Sequence, residues 1–85
     1  MKIEYSIKFH KQYYKLHSEI QKLADIKINL FTNDPFNPQL KTHKLHGNLS
    51  NFWSFSINYE YRVIVCFIGK NHVIFRNIGR HDIYY

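Results

Sequence analysis

The last third of the chain, WSFSINYEYRVIVCFIGKNHVIFRNIGRHDIYY (residues 53–85), limits the fold more than any other stretch. Trp53, Phe55 and Ile57 alternate with Ser54, Ser56 and Asn58. A strand with one buried face needs that period of two, and it predicts that both serines face solvent. The run from Tyr61 to Ile68 is apolar almost throughout and rich in β-branched residues, with Arg62 as its single charge. Such a run suits a central strand covered on both faces. Gly69, Lys70 and Asn71 have turn chemistry, because glycine and asparagine accept positive φ cheaply. The run from His72 to Ile78 then returns antiparallel to its predecessor. Three strands in this arrangement leave an apolar face that other elements must cover.

The first half supplies the cover. Lys2 to Ser6 alternates like a short strand, and Ser6 has the chemistry of a helix N-cap. Phe9, Tyr13, Leu16, Ile20 and Leu23 recur at steps of four, three, four and three, which is helical spacing. A break is expected near His17-Ser18, where Ser18 and Gln21 match a capping box that starts a second helix. That helix carries its apolar face through Ala24, Ile28 and Phe31 and stops at Asn33-Asp34-Pro35, since proline disfavours helical geometry in the residue before it. Residues 34–51 hold both prolines and read as an ordered loop. The expected fold is α+β in the order β-α-α-β-β-β: a small antiparallel sheet with two helices on one face, the other face or one end being left for a ligand. Residues 1–85 read as a single domain.

Charge narrows the partners. Twelve Lys and Arg against six Asp and Glu give a net charge of +6, spread evenly: seven basic and four acidic residues in 1–42, five and two in 43–85. A folded basic domain with 18% aromatic residues leans towards nucleic acid or an acidic protein partner. Cys66, the only cysteine, lies in the most apolar run and reads as a small buried hydrophobe, so no disulfide framework is expected. No stretch resembles a signal peptide or reaches transmembrane length, and a cytoplasmic protein is expected. The six histidines do not build a metal site: His10 and His17, or His43 and His46, join no Cys, Asp or Glu at ligand spacing. With only three glycines there is no phosphate-cradling loop. No metal and no cofactor are implied.

The stronger constellation is Lys41, His43, Lys44, Arg62, Arg80, His81 and Tyr85. Arg62 opens the central strand, while Arg80 and His81 follow its hairpin partner. Antiparallel pairing brings these three to the same end of the sheet. A fixed cation beside a titratable imidazole suits RNA cleavage by an adjacent 2′-hydroxyl, which needs proton transfer near neutral pH and charge stabilisation at phosphorus. The competing reading pairs Arg62 and Arg80 with Glu60 and Asp82 as ordinary ion pairs.

The segment HKLHGNLSNFWSFSINYEYRVI (43–64), followed by IGRHDIYY (78–85), resembles the RelE/ParE superfamily of toxin–antitoxin toxins, and within it the RelE/YafQ-type mRNA interferases. The resemblance covers nearly the whole chain. It implies a metal-independent endoribonuclease that cuts mRNA, typically in the ribosomal A site, and is silenced by a cognate antitoxin. By this resemblance Arg62 stabilises the scissile phosphate, His81 does acid/base work, Tyr85 seats the RNA, and His43 is a loop histidine that could act as base. Lys41, Lys44 and Arg80 would then bind RNA backbone. YafQ-like members carry an Asp and a His where this chain has Ser54 and Ser56; Glu60 could supply the acidic group. The alternatives are a ParE-like DNA gyrase inhibitor on the same fold and a non-catalytic basic binding module.

Overall fold

A computed structural model describes residues 1–47 and 51–80. Seven main elements follow in order: β1 (Lys2–Tyr5), α1 (Ile7–Tyr14), α2 (Ser18–Asn33), β2 (His43–Lys44), β3 (Trp53–Ser56), β4 (Tyr61–Gly69) and β5 (His72–Arg80). A short 3₁₀ turn, Pro38–Leu40, lies between α2 and β2. The strands form one five-stranded sheet in the order β1-β5-β4-β3-β2. The expected α+β architecture is present, with two differences. The sheet is mixed, because β1 runs parallel to β5 while the other pairs are antiparallel. The stretch expected to be loop also contributes an edge strand, β2, too short for a period of two to register in the sequence.

Ser6 explains how the first strand hands over to the first helix. Its backbone N–H donates to Phe75 O (3.0 Å) and its hydroxyl donates to Arg76 O (2.7 Å). The same hydroxyl oxygen accepts from Phe9 N (2.9 Å), so one side chain caps α1 and ties it to β5. Farther along β5, Gln12 Oε1 accepts from Ile78 N (2.9 Å) where β1 no longer reaches. The second cap differs from expectation. Ser18 is the first helical residue; His17 occupies the N-cap and makes no side-chain capping bond. Gln21 instead donates to Tyr13 O (2.9 Å), a carbonyl at the end of α1 that also accepts from Leu16 N (3.1 Å), and so ties the two helices together.

Both helices cover one face of the sheet. Phe9, Ala24 and Phe31 pack there against Phe55, Val63, Val65, Val73, Phe75 and Ile78. Phe31 stacks on Phe55 with centroids 4.5 Å apart and meets Phe75 edge-on at 5.5 Å. Ring pairs in these geometries add to the area that they bury. On the far face, Ser54 and Ile64 are register partners and both are buried. Ser54 is therefore not a solvent-side residue, and the far face is not simply open. Cys66, half-buried beside Ile74 on that face, is also less enclosed than its apolar surroundings imply. No helix among the described residues is long and apolar enough to cross a membrane.

Candidate active site

The turn between β3 and β4 builds the end of the sheet where the candidate residues gather. Asn58 Oδ1 accepts from Glu60 N (2.9 Å) and Tyr61 N (2.8 Å), and Ile57 N donates to Tyr61 O (2.9 Å). An asparagine that bonds backbone two and three residues on stabilises a tight turn from within. The turn delivers Arg62 to the second position of β4, opposite Ser56 on one side and Gly79 on the other. Arg62 Nη1 donates to Ser56 Oγ at 2.6 Å and reaches Asn58 O at 3.4 Å. The guanidinium is thus held through its terminal Nη1, half-buried, and its Nε and Nη2 make no hydrogen bond among the described residues.

Alternation alone assigns Ser56 no role beyond facing solvent. Its neighbour relation to Arg62 depends on β3–β4 register, which no local signal discloses. Past the end of the sheet, a cavity of about 180 Å³ extends from Arg62 and the β3–β4 turn round to the helix side, with Lys27 from α2, Gln39 of the 3₁₀ turn and Lys41 just after it, Ser56, and Tyr59 contributing to its walls. Lys41 takes the left-handed conformation, φ 52°, uncommon for a residue with a Cβ. The carbonyl of Lys41 lies 2.9 Å from His43 Nδ1, so the imidazole is oriented from the same turn. His43 pairs with Ser54 in the ladder and projects to the same sheet face as Ser56 and Arg62. Lys44 pairs with Trp53 and projects to the helix side.

Arg80 shares the end of the sheet with Arg62 but not its face. It pairs with Tyr61, one residue out of phase with the Arg62–Gly79 pair, and the pleat therefore sends the two side chains to opposite sides. On the helix side Arg80 Nη2 lies 3.4 Å from Glu60 Oε2 and its guanidinium stands 5.9 Å from the Tyr61 ring centre. Both flank a shallow cavity with His17, Ser18 and Glu19 at the start of α2. The ion-pair reading thus holds for Arg80 with Glu60, whereas Arg62 bonds to Ser56 and Asn58. His81, Asp82 and Tyr85 lie outside the described residues. Among those described, no group of three His, Cys, Asp or Glu side chains converges as a metal site would require.

The arrangement matches solved structures over almost its full length. The chain resembles YafQ from E. coli strain BL21(DE3) with a TM-score of 0.82 and 17% identity, over 99% of this chain and 97% of that one. The fold is that of the RelE/YafQ-type toxins. The "YoeB/ParE toxin" from Agrobacterium tumefaciens gives a TM-score of 0.79 at 19% identity, covering 95% of this chain and 99% of that one. A chain of the E. coli DinJ–YafQ complex gives 0.73 at 23% identity, over 99% and 97% of the two chains. No protein-family model and no curated protein matches the sequence. Within this toxin fold, Arg62 and His43 share the far face of the sheet and Arg80 does not.

Proposed function

We propose that the chain is the toxin of a type II toxin–antitoxin system and cleaves mRNA without a metal. The observation that carries this reading is Arg62: a guanidinium anchored by Ser56 Oγ at 2.6 Å, on the sheet face that also carries His43, in a RelE/YafQ-type fold. A cation fixed in advance stabilises developing negative charge without reorganising at the moment of reaction. In the proposed reaction a 2′-hydroxyl oxygen attacks the adjacent phosphorus and loses its proton to a base. The bond to the 5′-oxygen breaks, and that oxygen leaves as a 5′-hydroxyl after receiving a proton from an acid. The 5′ fragment keeps a 2′,3′-cyclic phosphate. Arg62 stabilises the phosphorane, His81 serves as general acid or base, and Tyr85 seats the RNA, all by family resemblance. His43 is a further candidate base. Glu60 is engaged with Arg80 on the other side of the sheet, which argues against that role. The +6 charge suits both RNA and an acidic antitoxin segment.

The test is induction of the chain with and without its neighbouring open reading frame, followed by mapping of RNA ends. Expected are a translation arrest, cyclic or 3′-phosphate ends within translated messages, insensitivity to EDTA, and relief by a co-purifying partner. His81→Gln should slow single-turnover cleavage by roughly 10²–10⁴-fold, the usual loss of a general acid or base. Intact messages with a prompt DNA-damage response would replace the nuclease by a gyrase inhibitor.

A further inference from the structure

We propose that the cavity beside Arg62 is a phosphate subsite for single-stranded RNA, completed by Lys27, with Tyr59 as the platform for the adjoining base. The proposal rests on the nuclease reading and extends it to two residues that neither sequence motif nor family resemblance singled out.

Three cations from three different elements line this cavity: Lys27 of α2, Lys41 after the 3₁₀ turn and Arg62 of β4. No carboxylate is among its described lining residues, and none of the three cations is in an ion pair among the described residues. Like charges gathered in one concavity without a counter-charge repel one another, and an anion relieves that repulsion. The placement of Lys27 makes the convergence specific. It lies three residues after Ala24 and four before Phe31, both fully buried, so it occupies the apolar stripe of α2 and not the solvent face. Lysines in such positions run their methylenes along apolar surface and carry the charge to the rim, and Lys27 lines the cavity. Lys41 is held in a left-handed conformation that costs a side-chain-bearing residue energy, as residues at functional sites often are.

Size separates the phosphate from the base. About 180 Å³ is less than the roughly 300–1,000 Å³ of pockets that enclose a drug-sized ligand, so the cavity suits a phosphate better than a whole nucleotide. The base then falls at the rim, where Tyr59, 85% exposed, offers a flat ring. Exposure on this scale leaves an aromatic face free for stacking, a contact available to every base.

The probe is a short 2′-O-methyl single-stranded RNA, which lacks the attacking hydroxyl, bound to the full chain over a series of salt concentrations. On a single strand, each phosphate that the protein no longer neutralises lowers the slope of log K against log salt by about 0.7. Lys27→Met should show that drop, and Lys22→Met, an exposed lysine of the same helix, should not. Tyr59→Ala should weaken binding by roughly 5- to 100-fold with the slope unchanged, because stacking releases no counterions. Equal slopes for Lys27→Met and the parent, or an unaffected Tyr59→Ala, would overturn the subsite even if the parent cleaves messages. A parent that binds the probe in this Lys27- and Tyr59-dependent way but cleaves nothing would keep the subsite and remove the nuclease. A hexaglutamate peptide whose binding depends on Lys27, with RNA binding indifferent to both residues, would assign the cavity to an acidic protein segment instead. Circular dichroism of each variant separates these outcomes from unfolding.

Discussion

The two faces of the sheet share every strand yet are built for opposite purposes. On the helix face Phe55, Val63, Phe75 and Ile78 are almost wholly excluded from solvent, and Phe31 closes over them. On the far face, two residues along from the buried Ser54 and Ile64, the surface opens onto Ser56 and Arg62. The contrast teaches where stability and function are separable. Apolar area sets the first, while a few polar contacts hold the second in position.

The largest expected effect tests that separation. Phe55→Ala should cost about 3–5 kcal/mol of unfolding free energy in urea titrations, since a fully buried ring leaves a cavity that the packed neighbours cannot fill. Arg62→Ala should cost about 1 kcal/mol or less, as expected for a partly exposed polar group, while lowering cleavage by roughly 10²–10³-fold. Comparable destabilisation by the two would make Arg62 a structural clamp and erase the distinction between the faces. Ser56→Ala sharpens it. The hydroxyl does not reach substrate in this reading; it positions Arg62, and its loss should reduce cleavage about tenfold, the low end for a hydrogen bond to a charged group because Arg62 is half-exposed. That loss should fall on kcat with KM and the pH profile unchanged. A Ser56→Ala protein with parental kcat would show that Arg62 needs no anchor.

The smallest effect lies at the edge of the helix side. Tyr13 donates to Asp25 Oδ1 at 2.8 Å, and burial, this bond and the carboxylate charge push the phenol up from 10.0 to about 12. Burial, with Asp25 second, also raises Tyr5. Folded Tyr13 therefore keeps its proton over a range in which the unfolded chain releases it. The stabilisation is fully present below pH 10 and is lost as the pH rises to about 12. Tyr13→Phe should flatten the decline of the urea midpoint across that window, and an unaltered decline would mean that the phenol titrates alike in both states.

Much of this was legible in advance because it follows from local periodicity. The helical spacing of Phe9, Tyr13, Leu16 and Leu23, the alternation through Phe55, and the turn at Gly69–Asn71 each depend on neighbours within a few residues. Ser6 as a cap was visible for the same reason, and Arg62 and Arg80 reaching one end of the sheet follows from hairpin pairing alone. What the tertiary structure decided is phase and partner. An irregularity at Arg76 shifts the β4–β5 register between the Val65–Phe75 and Ile64–Asn77 pairs, so that Phe75 and Ile78, three apart, both reach the core. The β1–β5 parallel pair joins residues some seventy apart, and nothing in either segment specifies the other. Ser18 lies one residue inside α2, with His17 at the N-cap, and Gln21 spends its amide N–H on Tyr13 O, a partner eight residues back that no capping pattern announces. The pleat, through a one-residue difference in pairing, set Arg80 beside Glu60 and Arg62 beside Ser56. Residue type sets what a side chain can do; register, fixed by the whole sheet, sets the face on which it does it.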